Sequence, residues 1–322
     1  MIFQNSIDII YIAFFNHERL KKSLFSLENF FINSDFKINI VIFDNSNDLK
    51  FFDKYKSCFE SLHKSFNVKF ILSKKNLGFG GACNKSTKIF DSEFIMFLNC
   101  DTSFSNSCIE DFKSMISYCS SSSPIVGPKI ITNDGLIHSS CFSFDPISIF
   151  LKPLRHIRYI GKFTKFIPEY KSFKKRIDRI TYEGINKKKP SYVDWVSGCC
   201  MLVRRDFFEE IKGFDERFFL YFEDVDICRQ AKTYGKHVIF NPNFEIMHEA
   251  QHSSRTMKGV LKSIFFNKLA RYHILSWIKY MIKWKKDFLI KFVHFIQRRK
   301  YKKFTNLNYD LDFSKYEEIN DD

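Results

Sequence analysis

Three acidic side chains within four positions are the most chemically suggestive feature of this chain. Glu223, Asp224 and Asp226 follow directly on the apolar run Phe218–Phe222. A carboxylate set against an apolar wall can have its pKa tuned for proton transfer, so one of these groups could act as a general base. The alternative is that the acids only complement the dipole at the start of a helix. We favour the first interpretation, because three acids exceed what a helix cap needs.

A further carboxylate, Asp101, ends the apolar strand-like sequence FIMFLNCD. A carboxylate oxygen at a strand end suits Mg²⁺ or Mn²⁺, which usually take their other ligands from substrate phosphates and water. The alternative is an aspartate that caps the next helix. Together with the acidic residues at 223–226, Asp101 predicts metal-assisted group transfer with a separate general base.

Two more predicted strand ends carry polar or glycine-rich sequence. Asp44 precedes the polar run 45–47, and its carboxylate could accept hydrogen bonds from a nucleobase; the alternative is a turn-forming Asp-Asn pair. The sequence NLGFGGACN, from Asn76 to Asn84, would let a ligand approach the backbone closely at its glycines, or could be only a flexible turn. It lacks the full G-x-G-x-x-G spacing, so it does not establish a dinucleotide site.

The pentapeptide from His248 to His252 reads HEAQH and matches the H-E-x-x-H zinc signature. In that chemistry both histidines project from one helix, with the glutamate as base. Residues 237–247 look instead like extended pieces around Asn241-Pro242, and the flanks lack helical apolar spacing. We therefore expect His248 to be a single ligand at a strand end, and we keep a zinc-dependent hydrolase as the alternative.

Strand–helix alternation supplies a scaffold for these residues. Short apolar runs predict strands at 7–14, 38–43, 68–72, 94–98 and 125–131. Helical spacing predicts a helix at 17–30. This alternation indicates an α/β fold with a mostly parallel sheet. Ligands of such sheets bind at the carboxyl ends of the strands, which is where Asp44, residues 76–81 and Asp101 fall.

Length, charge and cysteine content limit the class of protein. The 322 residues suffice for one large α/β domain with a helical appendage, and the formal net charge is +15. Basic residues concentrate in an insertion at about 150–190 and in a region at 256–304, whereas the tail at 305–322 is acidic. Nine cysteines without CxxC spacing indicate reduced thiols in a cytosolic protein. The N-terminus reads as a strand instead of a signal peptide, and no apolar run predicts a transmembrane helix.

The region 256–304 has apolar residues at helical spacing with lysine and arginine between them. Trp277, Trp284 and several phenylalanines on its apolar side are typical of a helix that lies on a membrane surface. The alternatives are a helix packed within the protein with a solvated basic face, and a segment that binds nucleic acid. A nucleic-acid-binding module would leave the acidic cluster unexplained, so we expect no nucleic acid partner.

Taken in order, these segments resemble the family 2 glycosyltransferases. The matching sequences span about residues 7–255 and are FDNSN, NLGFGGACN, LNCD, VSGCCMLVRRDFFEEIKGFDERFFLYFEDVDICRQAKTYG and NPNFEIMH. The branch that they resemble is that of the rhamnosyltransferase-like enzymes of bacterial surface-polysaccharide assembly, such as O-antigen or capsule. The resemblance implies a GT-A fold in residues 1–255, a nucleotide-sugar donor such as a dTDP- or UDP-sugar, a divalent metal and inversion of the anomeric carbon.

The resemblance also implies residue roles. Asp224 is the expected base, Glu223 orients sugar or acceptor, and Trp195 and Asp226 lie on the acceptor side. The expected metal ligands are Asp101 and His248. The residues assigned to the nucleotide sugar are Phe14, Asn16, Asp44, Asn76, Gly78, Asn84 and Asn99.

Two departures from the family pattern stand out. The segment Asn99-Cys100-Asp101 has one carboxylate where relatives have two, and Phe14-Phe15-Asn16 stands where relatives often carry Thr-Tyr-Asn. The resemblance further implies a lipid-linked or polysaccharide acceptor and a cytoplasmic enzyme held at the inner face of the cell membrane by the basic helix. A catalytically inactive nucleotide-binding relative is a further alternative.

Overall fold

The structure, a computed structural model, describes most of the chain outside the basic insertion and the C-terminal tail. The described residues are 6–50, 53, 66–104, 107–138, 140–142, 144, 188–249 and 268–286. The predicted insertion at 150–190 and the acidic tail at 305–322 therefore lie largely or wholly outside the described residues. The predicted domain boundary at 255 and the residue His252 also lie outside them.

A parallel sheet forms from the apolar runs of the first hundred residues. β1 (Ser6–Ala13) pairs with β2 (Lys37–Asp44) on one side and with β4 (Phe94–Leu98) on the other, and β3 (Asn67–Leu72) pairs with β2. Such strands are apolar along their whole length when helices cover both faces of the sheet, and β4 is buried throughout. These four strands confirm the sequence-based prediction to within one residue at each end.

The second half of the sheet has mixed orientation. β11 (Cys200–Arg204) is antiparallel to β4 on one side and to β6 (Ile125–Thr132) on the other. β12 (Val238–His248) runs parallel to β6, and its last residues pair with β5 (Thr102–Ser103). The resulting strand order is β3-β2-β1-β4-β11-β6-β12-β5.

Four short strands extend this arrangement. β7 (Ile137–His138) pairs with β6, and β9 (Ser191–Val193) pairs with β12. β8 (Cys141–Phe142) and β10 (Trp195–Val196) form a separate two-stranded ladder.

Helices cover both faces of the sheet, and each face has its own apolar core. The helices are α1 (His17–Phe31), α2 (Gly78–Ser86), α3 (Ile109–Ser117), α4 (Arg205–Glu210), α5 (Glu223–Thr233) and α6 (Lys268–Lys283). α1 and α3 pack on one face, and α2, α4, α5 and α6 on the other. α1 buries Leu20, Leu24 and Leu27, which are the residues whose spacing predicted it.

A buried ion pair fixes the amino end of the central strand. Asp8 is 1% exposed and pairs with Arg205 at the start of α4. Its carboxylate also accepts hydrogen bonds from Asn39 Nδ2 at 2.8 Å and from the hydroxyl of Ser92 at 2.5 Å. A buried charge with this many partners is satisfied, so the network holds β1, β2 and α4 together at the end of the sheet away from the predicted ligand side.

The described part of the basic region, α6, packs against the protein. Tyr280 is fully buried, and Trp277 and Trp284 lie against the core that α5 also lines. The prediction that these tryptophans face a membrane is therefore wrong, because sequence spacing alone does not show which surface an apolar helix face covers. Among the described residues, no helix has the length and apolar character needed to cross a bilayer.

Candidate functional site

Asp44 forms the polar turn that was the alternative to a nucleobase contact, and one of its carboxylate oxygens stays available. It is the last residue of β2 and is 3% exposed, and its Oδ1 accepts a hydrogen bond from the N–H of Ser46 at 2.7 Å, as in a polar turn. Its Oδ2 is buried and has no hydrogen-bond partner within the described residues. Because a buried acceptor without a donor is unfavourable, this oxygen is suited to a donor group of a ligand.

Asn45, which was not among the expected site residues, connects the end of β2 to the glycine-rich loop. Its side-chain amide donates to the carbonyl of Gly78 at 2.8 Å and accepts from the N–H of Leu77 at 3.1 Å. The polar sequence after Asp44 marks Asn45 as a turn residue. It does not show that Asn45 binds Gly78, because the two residues are more than thirty positions apart.

The glycine-rich loop approaches the protein itself. Gly78 has φ +75°, and a Cβ there would lie 2.2 Å from the carbonyl oxygen of Phe219. The N–H of Phe79 donates to that same carbonyl at 2.9 Å, and Asn76 accepts from the N–H of Gly78 at 2.8 Å. Glycine is needed here because the loop packs against the segment that precedes Glu223, which the sequence did not reveal.

Asn84 also binds the segment that precedes Glu223. Its Nδ2 donates to the carbonyl of Phe214 at 2.8 Å and to Glu216 at 3.1 Å, and its Oδ1 accepts from the N–H of Phe214 at 2.8 Å. Both ends of the amide are thus used to hold the turn at 213–216. Contact between Asn84 and a nucleotide sugar stays a prediction without support from these bonds.

An aromatic pair stands at the carboxyl end of β1. The rings of Phe14 and Phe15 are 49% and 48% exposed and meet edge to face at 4.8 Å. Phe15 has φ +53°, and the N–H of Phe14 donates to Asn16 Oδ1 at 3.0 Å, which fixes the turn. Exposed aromatic faces beside Asp44 could stack on a planar base, and Phe15 was not among the expected residues.

Asp101 and His248 meet across paired strands. β5 and β12 set Thr102 opposite His248, and the carbonyl of Asp101 accepts from the N–H of Glu249 at 2.9 Å. Asp101 Oδ1 lies 3.2 Å from His248 Nε2. Arg19, from α1, lies 3.9 Å from the other carboxylate oxygen, a neighbour that the sequence did not predict.

This pair has the donor chemistry for a divalent cation. A carboxylate oxygen and an imidazole nitrogen converge, and Mn²⁺ accepts both while Mg²⁺ prefers oxygen. No group of three or more potential metal-binding side chains occurs in the part of the chain that the structure describes. Asp101 and His248 could therefore hold a cation whose other ligands come from phosphate and water.

The zinc-hydrolase alternative is not supported by the local structure. His248 is the last residue of the strand β12, so the HEAQH sequence does not begin within a helix. β12 is one strand with a register shift between Asn241 and Glu245, where the sequence suggested two extended pieces. Residues four apart lie within reach of one ion on a helix, where the rise is about 6 Å, but are about 13 Å apart on an extended strand. The strand conformation at His248 therefore lacks the helical geometry of the zinc signature.

Asp224 and Glu223 open α5 and differ in environment. Asp224 is partly exposed, and its Oδ2 accepts from the N–H of Gly198 at 3.0 Å while Oδ1 accepts from the N–H of Val225 at 2.8 Å. Glu223 is 8% exposed, and its Oε2 is buried without a hydrogen-bond partner in the described residues. Burial, and secondarily the neighbouring Asp224 carboxylate, raises the pKa of Glu223 well above its usual range.

Main-chain bonds bring Asp101 and Asp224 into one site. The N–H of Asn99 donates to the carbonyl of Cys199 at 2.9 Å, and the next residue back, Gly198, binds Asp224. Burial raises the pKa of the Cys199 thiol to about 12, and the carboxylates of Asp101 and Asp224 both contribute to that rise. Both carboxylates therefore lie near Cys199.

Cys100 connects Asp101 with the end of β2 in the same way. Its thiol is 2% exposed, and burial, with the nearby Asp101 and then Asp44 carboxylates, raises its pKa. Thiols of this kind are mostly protonated and unreactive at neutral pH. The buried thiols of Cys100 and Cys199 thus lie near the carboxylates of Asp44, Asp101 and Asp224.

Asp226 and Trp195, expected on the acceptor side, are buried. Asp226 is 1% exposed and binds Lys283 and Trp284 of the α6 region. Residues two apart on a helix point in directions about 200° apart, so Asp226 faces away from Asp224. Trp195 is 5% exposed and stacks on Phe142 at 4.0 Å. Contact of either side chain with an acceptor stays a prediction that this arrangement does not favour.

Comparison with known proteins identifies related sequences. The family model of glycosyl transferase family 2 matches residues 8–118, and that of glycosyltransferase like family 2 matches residues 180–265. Rhamnosyltransferase WbbL of Escherichia coli K12 is 35% identical over 106 residues, which are 30% of this chain and 37% of that protein. The N-acetylglucosaminyl-diphospho-decaprenol L-rhamnosyltransferase of Mycobacterium tuberculosis is 44% identical over 62 residues, 19% of this chain and 20% of that protein. This chain thus matches well under half of each relative's length.

Solved structures share the fold over a larger part of the chain. GalNAc-T7 with UDP, GalNAc and Mn²⁺ aligns with 76% of this chain and 43% of its own at a TM-score of 0.53 and 12% identity. The mannosyltransferase PcManGT of Pyrobaculum calidifontis, in complex with GDP-Man and Mn²⁺, aligns with 85% of this chain and 69% of its own at a TM-score of 0.51 and 12% identity. These similarities confirm the α/β fold of GT-A type that the sequence predicted.

Proposed function

We propose that this chain, which belongs to the family 2 glycosyltransferases, transfers a sugar from a nucleoside-diphosphate donor to a hydroxyl group with inversion of the anomeric carbon. The observation that carries the proposal is the pair Glu223-Asp224. One carboxylate is partly exposed and held by main-chain N–H groups, and its neighbour is buried with a raised pKa. Two acids with such different environments can divide proton transfer and orientation between them.

Asp224 is the proposed general base. Its Oδ2 and Oδ1 are fixed by Gly198 and Val225, so the carboxylate has a defined direction before any substrate binds. In the proposed step the acceptor oxygen bonds to the anomeric carbon as the bond from that carbon to the diphosphate oxygen breaks. The hydroxyl proton passes to Asp224, and the nucleoside diphosphate leaves with the bonding electron pair.

Glu223 is the proposed orienting group. Its raised pKa favours the protonated carboxyl, which can donate a hydrogen bond to a sugar or acceptor hydroxyl. The buried Oε2, which has no partner among the described residues, supports this role because a ligand hydroxyl would satisfy it.

The donor nucleotide is proposed to bind along the carboxyl ends of β1 and β2. Asp44 offers a buried acceptor oxygen to a nucleobase N–H, and the exposed Phe14 and Phe15 offer ring faces for stacking. Asp101 and His248 would hold Mg²⁺ or Mn²⁺, which neutralises charge on a leaving diphosphate when it is bound. Arg19, beside Asp101, adds a positive charge at the same end of the site.

The donor sugar and the acceptor are proposed from the relatives. Both curated relatives are named rhamnosyltransferases, which supports rhamnose from a dTDP- or UDP-sugar as the first candidate. The name of the Mycobacterium tuberculosis protein states a diphospho-decaprenol acceptor, which supports a lipid-linked glycan acceptor in surface-polysaccharide synthesis.

A location at the inner face of the cell membrane fits the outer face of α6. Leu275, Ile278 and Ile282 are 51%, 40% and 63% exposed and share one side of the helix. The exposed Lys285 and Lys286 follow them, as in helices that bind anionic lipid surfaces.

A thermal-shift screen tests the donor assignment. Nucleoside diphosphates and nucleotide sugars are added with Mg²⁺, Mn²⁺ or EDTA, because a ligand far above its dissociation constant raises stability by several kcal/mol. We expect metal-dependent stabilisation by dTDP or UDP compounds, followed by product of inverted configuration in an NMR assay with a lipid-linked acceptor analogue. Absence of any nucleotide-induced shift would contradict the proposal.

A further inference from the structure

Several contacts of α6 fall on the segment that lies on both sides of Glu223. The hydroxyl of Ser276 donates to the carbonyl of Leu220 at 2.8 Å, and Lys279 Nζ donates to the carbonyl of Arg217 at 2.8 Å. These bonds hold the main chain of the loop that leads into α5. That loop also carries Phe219, whose carbonyl accepts from the glycine-rich loop, so one stretch connects α6 to the proposed donor site.

The two residues directly before Glu223 have an unusual backbone. Tyr221 and Phe222 have φ values of +69° and +71°, which residues with a side chain rarely adopt. Aromatic contacts with α6 surround them: His273 lies 5.1 Å from the ring of Tyr221 and 5.4 Å from that of Phe222, and Tyr280 lies 5.3 Å from Phe222. Such a conformation persists only where its surroundings determine it, and α6 supplies a large part of those surroundings.

The first turn of α5 is bound to the end of α6 through Asp226. Lys283 Nζ donates to Asp226 Oδ2 at 2.7 Å and to Asp215 Oδ2 at 2.8 Å, and Trp284 Nε1 donates to Asp226 Oδ1 at 2.8 Å. Burial raises the pKa of Asp226, and the ammonium group of Lys283 opposes that rise. Because a buried carboxylate without its partner is strongly unfavourable, the position of Asp226 depends on α6.

We propose that α6 positions the catalytic carboxylates, and that Lys283 is a positioning residue that acts on Asp224 and Glu223 through Asp226. The inference rests on the proposed function of the Glu223-Asp224 pair. Asp226 lies within the same helical turn as both acids, so a shift at Asp226 moves them. The left-handed residues Tyr221 and Phe222 set the direction in which the first turn of α5 begins. α6 contacts these two residues and also Asp226, so it holds the first turn of α5 from both sides in sequence.

The test compares substitutions of two lysines on helices. Lys283→Met removes the ammonium group but keeps a long apolar stem, whereas Lys21→Met changes an exposed lysine of α1 and is the matched control. We expect Lys283→Met to lower kcat by about 10-fold to 100-fold with the donor KM nearly unchanged, since small misplacements of catalytic groups have effects of this size. Lys283→Arg, whose guanidinium can reach both aspartates, should restore most of kcat.

A purely structural role for Lys283 predicts a different result. In that case active-site titration of Lys283→Met would show fewer folded molecules, each with the kcat of the unaltered chain. Ser276→Ala provides a second variant that leaves the charge pair in place, and a several-fold loss of kcat without loss of donor affinity is expected. Unchanged kcat per folded molecule in both variants would overturn the proposal.

Hydrogen exchange separates this inference from the proposed function. In Lys283→Met the amides of residues 217–228 should exchange faster while those of β1 and β4 stay protected, and this requires no substrate. If the unaltered chain shows no transferase activity, the proposed function fails and the exchange data still decide whether α6 orders the segment. Equal exchange in Lys283→Met and Lys21→Met would overturn the positioning role.

Discussion

Gly198 donates its main-chain N–H to Oδ2 of Asp224 at 3.0 Å, and a Cβ at Gly198 would lie 2.9 Å from the Cβ of Asp224. The bond and the close approach fix the proposed base from the side of β11. We expect Gly198→Ala to displace Asp224 and to lower kcat by about 100-fold, with donor binding retained. Gly135→Ala is the control, because its φ of +76° makes it a costly substitution with nothing within 4 Å of the added Cβ. An active Gly198→Ala protein would show that this contact does not set the base.

Asp224→Asn should abolish transfer and leave nucleotide binding nearly intact. The amide oxygen can still accept a hydrogen bond from Gly198, but the amide cannot take a proton from the acceptor hydroxyl. A loss of about 100-fold to 10,000-fold in kcat is the usual effect of removing a general base. Calorimetric titration with the nucleoside diphosphate measures binding separately, and Asp206→Asn, on an exposed ion pair with Arg204, serves as control. Equal loss of binding and transfer would argue against the assignment.

Asp101→Ala and His248→Ala should each weaken the metal-dependent part of nucleotide binding. The two side chains are 3.2 Å apart, and each would supply one ligand. In these variants the dissociation constant of the nucleotide measured with Mn²⁺ should approach the one measured with EDTA. In the control Glu110→Ala, at an exposed position, the two dissociation constants should stay different. Metal titrations that match those of the unaltered chain would rule out this site.

Arg19→Ala should weaken diphosphate binding in EDTA as well as in Mn²⁺. The guanidinium lies 3.9 Å from Asp101 and 3.7 Å from Glu249, so its charge is present whether or not a cation binds. The expected change is a several-fold rise in the dissociation constant under both conditions. If the dissociation constant rises only in Mn²⁺, Arg19 acts by positioning Asp101 and does not itself bind the diphosphate.

Glu223→Gln should stabilise the fold at neutral pH while it impairs transfer. The pKa of Glu223 is higher in the folded chain than in the unfolded chain, where it is about 4.3. At pH values between the unfolded and the folded pKa, the folded state therefore binds more protons than the unfolded state. The contribution of Glu223 to the free energy of unfolding falls as the pH rises through this range. Glutamine does not titrate, so the free energy of unfolding of the variant should exceed that of the unaltered chain by on the order of 1 kcal/mol at pH 7.5 and by less at pH 5. Urea unfolding at both pH values measures the gain, and a difference independent of pH would contradict this account.

Replacing Leu275, Ile278 and Ile282 together by glutamine should reduce binding to vesicles that contain phosphatidylglycerol. These residues are exposed, so the fold should tolerate the change, whereas deletion of residues 257–322 would also remove the partners of Asp226. Co-sedimentation of the full chain measures binding, and Leu136→Gln, an exposed leucine in the turn after β6, is the control. If the triple variant pellets as the unaltered chain does, the outer face of α6 is not the anchor.

The strands β1 to β4 and β6, the helix α1 and the carboxylates at two strand ends could be predicted because their signals are local. Apolar runs define the strands, and Asp44 and Asp101 follow directly at their ends. The connections within the site could not be predicted in this way. Asn84 binds Phe214, and Asp226 binds Lys283, and each pair is joined only by the folded chain. Sequence spacing identifies an amphipathic helix such as α6, but it does not show which face packs on the protein.

The insertion of β11 between β4 and β6 has a consequence for how the chain is made. Cys200 pairs with Leu98, so about 200 residues must leave the ribosome before the apolar edge of β4 gains its partner. Closure of such distant contacts is slow, and an unpaired apolar edge is prone to aggregate in the meantime. We expect a gene fragment that ends at residue 118, the limit of the first family match, to lack the partner strand of β4 and to aggregate instead of folding by itself.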